Sequence, residues 1–185
     1  MPQEDKESYL PYRLTESCIP VLAPFGTGYR YHVTGLCHNE TGFPTNDSHD
    51  ISCLIERLSR KILLNVDDIV ANKELALDDA EIGIFAYGSV ARTAQAALRI
   101  CREEGIKAGL LEPTVLWPFP SKAVMEMAGK VKCIVVPELN LGQMAREVSL
   151  ACECSVPVHK LSRVDGSPMP PQQLVEKIRE VAGDV

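Results

Sequence analysis

Short apolar segments alternate with helical segments between Glu81 and Glu138, and this order constrains the fold more than any other feature. The alternation continues to the end of the chain. Strands are predicted over Ile82–Tyr87, Ile106–Glu112, Val131–Val136 and Val156–Leu161, and helices over Ser89–Glu104, Ser121–Gly129, Leu141–Glu153 and Gln172–Val181. Ser121 is expected to cap the second of these helices. Because parallel strands joined by helices form layered α/β domains, we predict a Rossmann-like, three-layer α/β domain with a mostly parallel sheet over residues 81–185.

Residues 1–50 differ from the rest, since they show no helical periodicity and are rich in Pro, Gly, Thr, Asn and His. Short extended pieces are predicted in PYRL, VLAPF and YRYHVTGL. Disordered segments are poor in aromatic and aliphatic residues, so this composition favours an extended linker arm that lies across another domain or subunit over a flexible tail. Residues 51–80 are expected to hold a helix and an acidic connector.

An amphipathic helix is predicted over Ser48–Leu64, with Asp47 or Ser48 as its cap. Its apolar side chains fall on one face at helical spacing, and they are Ile51, Leu54, Ile55, Leu58 and Ile62. Its cations lie toward the C-terminal end, where they interact favourably with the helix dipole, and they are Arg57, Arg60 and Lys61.

The composition argues against nucleic-acid and membrane partners. The net charge is −6, whereas nucleic acids and anionic membranes select basic surfaces. No apolar run approaches the roughly 18 residues of a membrane span, and the opening MPQEDKESYLPYR has no apolar core typical of a signal peptide. The seven cysteines are expected to be reduced thiols, which indicates a cytoplasmic protein.

The turn after the first predicted strand of the α/β domain is a candidate anion site. Gly88 and Ser89 join a strand end to a helix start, where ligands bind in doubly wound sheets, and Arg92 lies one turn into the helix. The segment matches neither a dinucleotide fingerprint nor a P-loop. The structural interpretation, with Ser89 as an ordinary helix cap, is therefore favoured over a phosphate site.

The segment GLCHNETG is the densest polar cluster of the chain, and its candidate residues are His38, Asn39 and Glu40. Cys37 and His38 are adjacent, and no paired C-x-x-C or H-x-x-x-H spacing exists, which disfavours zinc. A nucleophile–base pair depends on geometry that spacing alone does not give. We therefore predict a tight loop at a domain junction, and we assign no metal ligand and no catalytic residue.

Two further segments are candidate interfaces. Trp117 opens the stiff turn WPFP, which either covers the sheet edge or contacts another subunit. Asn140 is expected to cap the helix that follows, and Gly142 in its first turn permits close approach of another backbone. With the adaptable side chain of Met144, this helix start either forms a subunit interface or packs on its own sheet.

Several separate segments together resemble a known family. PYRLTESCIP, GYRYHVTGLCHNETGFPT, IFAYGSVARTAQAAL, LLEPTVLWPFP and VVPELNLGQMAREV, in that order, are similar to the C-terminal half of the α subunit of 2-oxoacid:ferredoxin oxidoreductases, especially the 2-oxoglutarate (KorA-type) branch. The resemblance implies a transketolase C-terminal-like domain. It also implies a heteromeric complex with a β subunit and ferredoxin, which uses thiamine diphosphate, Mg²⁺ and iron–sulfur clusters to convert a 2-oxoacid to an acyl-CoA.

The motifs that would hold those cofactors are missing from this sequence. It has no Mg-diphosphate motif of the G-D-G…N type and no ferredoxin-like cysteine pattern, so no cofactor is expected to bind this segment. We therefore expect a piece of a larger α subunit, or a split subunit, that serves as scaffold and interface in an oligomer. The alternative is a free-standing Rossmann-like module that binds a nucleotide or small anion at Gly88 and Ser89.

Overall fold

The computed structural model describes residues 2, 5–33 and 35–183, and the chain folds into two compact units, Met1–Asp67 and Asp68–Val185. Within the described residues, no helix is both long enough and apolar enough to cross a membrane.

The first unit is mostly turns and loops, followed by helix α1 (Ser48–Leu63). The arm is held by aromatic contacts, because the Tyr9 ring lies 4.9 Å from that of Tyr29 and 5.6 Å from that of Tyr31, between ring centroids. The Tyr9 hydroxyl donates to the carbonyl of Val21 at 2.9 Å and accepts from the Ala23 N–H at 2.9 Å. Tyrosines thus order a segment that has almost no regular secondary structure.

Helix α1 confirms the predicted element and its cap, but its apolar face is only partly buried. The Asp47 carboxylate accepts from the backbone N–H groups of His49 and Asp50. Leu54 and Arg57 are the residues that α1 buries, whereas Ile55 and Leu58 are exposed. The prediction that placed Arg57 among the cations suited to the helix end thus missed its burial, because spacing on a helix does not show which residues face neighbouring loops.

The second unit contains a five-stranded sheet with strand order β1-β3-β2-β4-β5. Strand β1 pairs antiparallel with β3, and the other neighbours are parallel. The elements that follow α1 are α2 (Val66–Ile69), β1 (Asn72–Leu75), β2 (Ile82–Phe85), α3 (Gly88–Glu103), β3 (Ala108–Pro113), α4 (Ser121–Ala128), β4 (Cys133–Glu138), α5 (Gln143–Ala151), β5 (Val158–Ser162) and α6 (Pro171–Gly183).

Helices cover both faces of this sheet, which confirms the predicted three-layer α/β fold. Successive residues of a strand point to opposite faces, so β2 sends Ile84 into one core and Phe85 into the other. The first core is completed by α3 and α6, the second by α4 and α5. Strand β4 is buried along its whole length, as expected for a central parallel strand.

The sequence-based prediction missed β1 and α2, and it misplaced two helix caps. The segment Val66–Asp79, expected to be a connector, contains both elements. Strand β1 reads NKEL and is mostly exposed, so it lacks the apolar run that reveals a buried strand. Ser89 and Ser121 lie within their helices, and the residues before those helices make no side-chain cap.

Gly109 in β3 lies where the connection from β1 to β2 passes close to the sheet. A Cβ atom at this position would lie 2.7 Å from the carbonyl oxygen of Ala76 and 2.8 Å from the Cβ of Ala80. The first contact is with backbone, which cannot turn aside as a flexible side chain can. Gly109 is therefore required by packing.

We expect Gly109→Ala to lower the free energy of unfolding by about 1–3 kcal/mol, because the added methyl group overpacks a buried strand. Urea unfolding followed by far-UV circular dichroism measures the change. Gly129→Ala is the matched control, since its nearest neighbours would lie 3.7 Å from the new Cβ. Equal stability of the two variants would contradict the packing argument.

Candidate functional site

The carboxyl ends of β2 and β4 form the topological switch point of the sheet. From β2 the chain crosses to β3 on one side, and it then returns to β4 on the other side of β2. Ligands of open α/β sheets bind at such points, outside the carboxyl ends of the strands. The predicted candidates Gly88 and Asn140 follow these two strands.

A buried carboxylate occupies this switch point. Glu138, the last residue of β4, is 1% exposed. Its Oε1 accepts from the Tyr87 hydroxyl at 2.9 Å and from the Asn140 side-chain amide at 3.0 Å. Oε1 also accepts from the backbone N–H of Met144, and Oε2 from that of Ala145, both at 3.0 Å. Four donors therefore satisfy one carboxylate, as burial of a charged group requires.

The start of α5 is built around the same cluster. The Asn140 side-chain oxygen accepts from the backbone N–H groups of Gly142 at 2.8 Å and Gln143 at 3.0 Å. Helix α5 nevertheless begins at Gln143 with Gly142 at the N-cap position, two residues later than the predicted cap at Asn140. Gly142 has φ +96°, the left-handed region that favours glycine. Together, the Asn140 and Glu138 side chains accept from four backbone N–H groups at the start of α5. Such N–H groups otherwise attract anions.

Three sequence-predicted candidates thus meet at this point. Asn140 and the Met144 backbone bind Glu138, Gly142 is buried beside them, and the Met144 side chain packs against the core formed with α4 and α5. Trp117 is not part of the cluster, because it lies on the turn after β3 with 69% of its surface exposed.

Gly88, Ser89 and Arg92 lie at the start of α3 and are exposed. Gly88 has φ +58°, so it provides the turn from strand to helix. The switch point beside it is already filled by the Glu138 carboxylate, which opposes a second negative charge nearby. This geometry weighs against a nucleotide or phosphate at the turn.

The first unit contains a cavity of about 430 Å³ that brings the GLCHNETG candidates together with α1. His38, Asn39 and Glu40 line one part of it, and the described residues that line it are Leu10, Tyr12, Leu14, His38, Asn39, Glu40, Thr41, His49, Asp50, Cys53, Leu54 and Arg57. The loop is closed on itself by a bridge between His38 and Pro44. The Glu40 carbonyl accepts from the Tyr12 N–H at 3.1 Å.

Aromatic and cationic groups dominate one wall of this cavity. The rings of Tyr12 and His38 lie 3.9 Å apart between centroids, and the Arg57 guanidinium carbon lies 5.7 Å from the Tyr12 ring centroid. On α1, the His49 Nε2 lies 3.7 Å from the Cys53 Sγ, and both side chains are exposed. No group of three metal-ligating side chains occurs within residues 2, 5–33 and 35–183.

Sequence reasoning missed Glu138 and Arg57, the two buried charged residues of the described chain. Glu138 follows the apolar run CIVVP directly, and a carboxylate at the end of a buried strand is a usable signal for a site. Its partner Tyr87 is 51 positions away, so the pairing depends on β2 and β4 being neighbours. For Arg57 the helical spacing carried no such signal.

We expect Glu138→Gln to lower the free energy of unfolding by about 1.5–3 kcal/mol, because one amide oxygen replaces two charged acceptors for four donors. Chemical unfolding measures the loss. Glu147→Gln is the control, since Glu147 is exposed on α5, and it should leave stability unchanged. If Glu138→Gln were as stable as the parent, the hydrogen bonds to the carboxylate would not stabilise the fold.

Tyr87 generates a prediction at alkaline pH. Its burial, and then its hydrogen bond to Glu138, raise the pKa of the phenol from 10.0 to about 12. The folded chain thus keeps a proton that the unfolded chain loses, so this contribution to stability is complete below pH 10 and lost between pH 10 and about pH 12. Tyr87→Phe should lose less free energy of unfolding than the parent chain between pH 10 and about pH 12. Ring-labelled NMR should show the tyrosine resonance with a pKa of about 12 vanish in the variant.

Comparison with known proteins places this geometry in a family. Residues 80–174, just over half of the chain, match the family described as pyruvate:ferredoxin oxidoreductase core domain II. The 2-oxoglutarate synthase subunit KorA of Methanothermobacter thermautotrophicus is 34% identical over 178 residues, which cover 96% of this chain and 47% of the relative. The chain spans about half the length of the curated KorA relatives that it matches.

Solved structures agree with this assignment. The 2-oxoglutarate:ferredoxin oxidoreductase from Magnetococcus marinus superposes with a TM-score of 0.82 at 26% identity, over 93% of this chain and 30% of that chain. A split-gene transketolase matches with a TM-score of 0.51 at 20% identity, over 58% of this chain and 40% of that chain, and it shows the fold alone. The resemblance stated from the sequence is confirmed: the chain belongs to the pyruvate:ferredoxin oxidoreductase core domain II family.

Proposed function

We propose that this chain is the C-terminal part of the α subunit of a 2-oxoacid:ferredoxin oxidoreductase and that it acts by assembly. The observation that carries the proposal is the superposition on the Magnetococcus marinus enzyme over 93% of the chain. The complex as a whole would oxidatively decarboxylate a 2-oxoacid to an acyl-CoA and pass electrons to ferredoxin. In this assembly the chain supplies surfaces and rigidity.

The described residues do not fit the cofactors of that reaction. Thiamine diphosphate needs a metal-assisted diphosphate site, but the switch point is filled by Glu138, and no cluster of three metal-ligating side chains occurs in the described ranges. We therefore propose that other parts of the complex hold thiamine diphosphate, Mg²⁺ and the iron–sulfur clusters. No step of the reaction is attributed to residues of this chain.

Exposed apolar side chains of the second unit support an assembly role. Trp117 is 69% exposed after β3, and Leu141 is 76% exposed after β4. Both follow the carboxyl ends of sheet strands, where loops of α/β domains gather. Aromatic and aliphatic groups of this kind are enriched in the buried centres of protein interfaces. We propose the β subunit as the partner of this edge, with ferredoxin as a further partner of the complex and an oligomeric assembly.

The thiols support a reducing, cytoplasmic location, which we propose as well. All seven cysteines are free, and four of them are buried. Burial raises the pKa of the Cys101 thiol to about 11 and also raises the pKa of Cys133. Both thiols therefore stay protonated and act as small apolar groups in the core.

We expect the chain alone to show no thiamine-dependent oxidation of 2-oxoglutarate. Activity should appear when it is co-expressed with the pyrimidine-binding half of a KorA-type α subunit and a matching β subunit. Reduction of methyl viologen that depends on 2-oxoglutarate and coenzyme A measures it. Robust activity of the isolated chain would contradict the assembly role, and so would failure to co-purify with both partners.

The interface proposal has its own variants. Leu141→Asp should weaken co-purification with the β subunit by at least about tenfold, since it places a charge in a desolvated contact. Leu150→Asp is the control, because Leu150 is comparably exposed, at 71%, but lies at the C-terminal end of α5, whereas Leu141 precedes the start of that helix. Circular dichroism should show both variants folded. Equal binding by the two variants would remove the carboxyl edge of the sheet as the contact surface.

A further inference from the structure

Arg57 is a buried cation that forms no ion pair with a carboxylate of the described residues. Its exposed fraction is 7%. Apart from the Tyr12 ring, 5.7 Å from its guanidinium carbon, no hydrogen bond or ion pair joins Arg57 to another described residue. Arginine does not lose its proton in proteins, and a buried charge is costly unless it is paired. None of its nitrogens is among the fully buried unpaired atoms of the described residues, so the guanidinium reaches the cavity that Arg57 lines and is available to a ligand there.

The acidic residues of the cavity are already engaged elsewhere. The Glu40 Oε1 accepts from the Leu14 N–H at 3.1 Å. The Asp50 Oδ2 accepts from the Thr45 hydroxyl at 3.1 Å. Neither carboxylate pairs with Arg57, although both line the same cavity. The planar set of N–H donors of the Arg57 guanidinium is therefore available to a ligand from outside the unit.

The rest of the lining describes the shape and chemistry of that group. Leu10, Leu14 and Leu54 provide apolar walls, and His38 adds a ring against Tyr12. A volume of about 430 Å³ lies within the roughly 300–1,000 Å³ of small-molecule sites. Such sites combine apolar walls with a few polar anchors, which is the composition found here.

We propose that this cavity binds a small monocarboxylate with a short hydrocarbon chain. Arg57 holds the carboxylate with two parallel N–H···O bonds, the geometry that the guanidinium fork favours. Tyr12 keeps the guanidinium plane in place, and the leucine side chains contact the hydrocarbon. Phosphate is disfavoured for two reasons. The Glu40 and Asp50 carboxylates repel the second negative charge that phosphate carries and a monocarboxylate lacks, and phosphate has no hydrocarbon to contact the apolar walls.

The site is separate from the family domain. Its residues lie between Leu10 and Arg57, whereas the family match covers residues 80–174. The proposal therefore does not depend on the proposed function, and the two fail in different experiments.

Binding of butyrate to the 185-residue chain tests the site. NMR titration follows the arginine Nε–Hε resonances at constant ionic strength, and the Arg57 signal is assigned by its loss in Arg57→Lys. We expect saturable binding of butyrate with a shift of that signal. Butyramide, which has the same shape without the charge, and inorganic phosphate should each bind at least about tenfold more weakly.

Two arginine variants on α1 distinguish a specific contact of Arg57 with butyrate from a general effect of positive charge. Arg57→Met should weaken butyrate binding about ten- to a hundredfold, whereas Arg60→Met, an exposed neighbour on α1, should leave it unchanged. If Arg57→Met fails to fold, the test uses the butyrate affinity of Arg57→Lys and the shift of the Arg57 signal in the parent chain instead. Unsaturable binding overturns the proposal, as do equal affinities for butyrate and butyramide, or equal binding by the parent and the Arg57 variants.

Discussion

The second unit depends on one buried carboxylate. Glu138 ends the interior strand β4, and its two oxygens bind the end of β2 through Tyr87 and the start of α5 through backbone N–H groups. A charge with 1% exposure is stable only when its hydrogen bonds are complete. The positions of β2, β4 and α5 are therefore coupled, since a shift of any one of them leaves a buried polar group unsatisfied.

The same interaction explains why a Rossmann-like sheet need not bind a nucleotide. In nucleotide-binding members of this architecture, helix N-termini at the switch point hold a phosphate. Here the chain provides its own anion, and Asn140 takes the N–H groups that Glu138 leaves. The buried Glu138 carboxylate thus occupies the position at which a phosphate binds in those proteins. Likeness of fold thus carries no nucleotide-binding activity by itself.

Most of the sheet was predictable because its strands are apolar runs bounded by turn residues, and the helices between them keep a regular period. Strand β1 was not, because an exposed edge strand such as NKEL needs no apolar run. The hydrogen bonds from the start of α5 to the Asn140 side chain are local and were therefore predictable, although the N-cap residue itself is Gly142. The Glu138–Tyr87 bond and the burial of Arg57 were not, because both depend on which distant segments become neighbours. The loop 35–42 stood out for its polarity, but only its closure near Tyr12 and α1 reveals a cavity.

The outer strands determine how this sheet can meet other proteins. Strand β1 lies at one edge with Lys73 and Glu74 exposed, and Lys73 forms an ion pair with Glu112 at 3.2 Å. Strand β5 lies at the other edge and carries the exposed Lys160. Charged edge strands oppose the pairing of a foreign strand. Strand pairing with another chain is thereby disfavoured at both edges of the sheet, which leaves its loops and helix surfaces as the parts suited to contact.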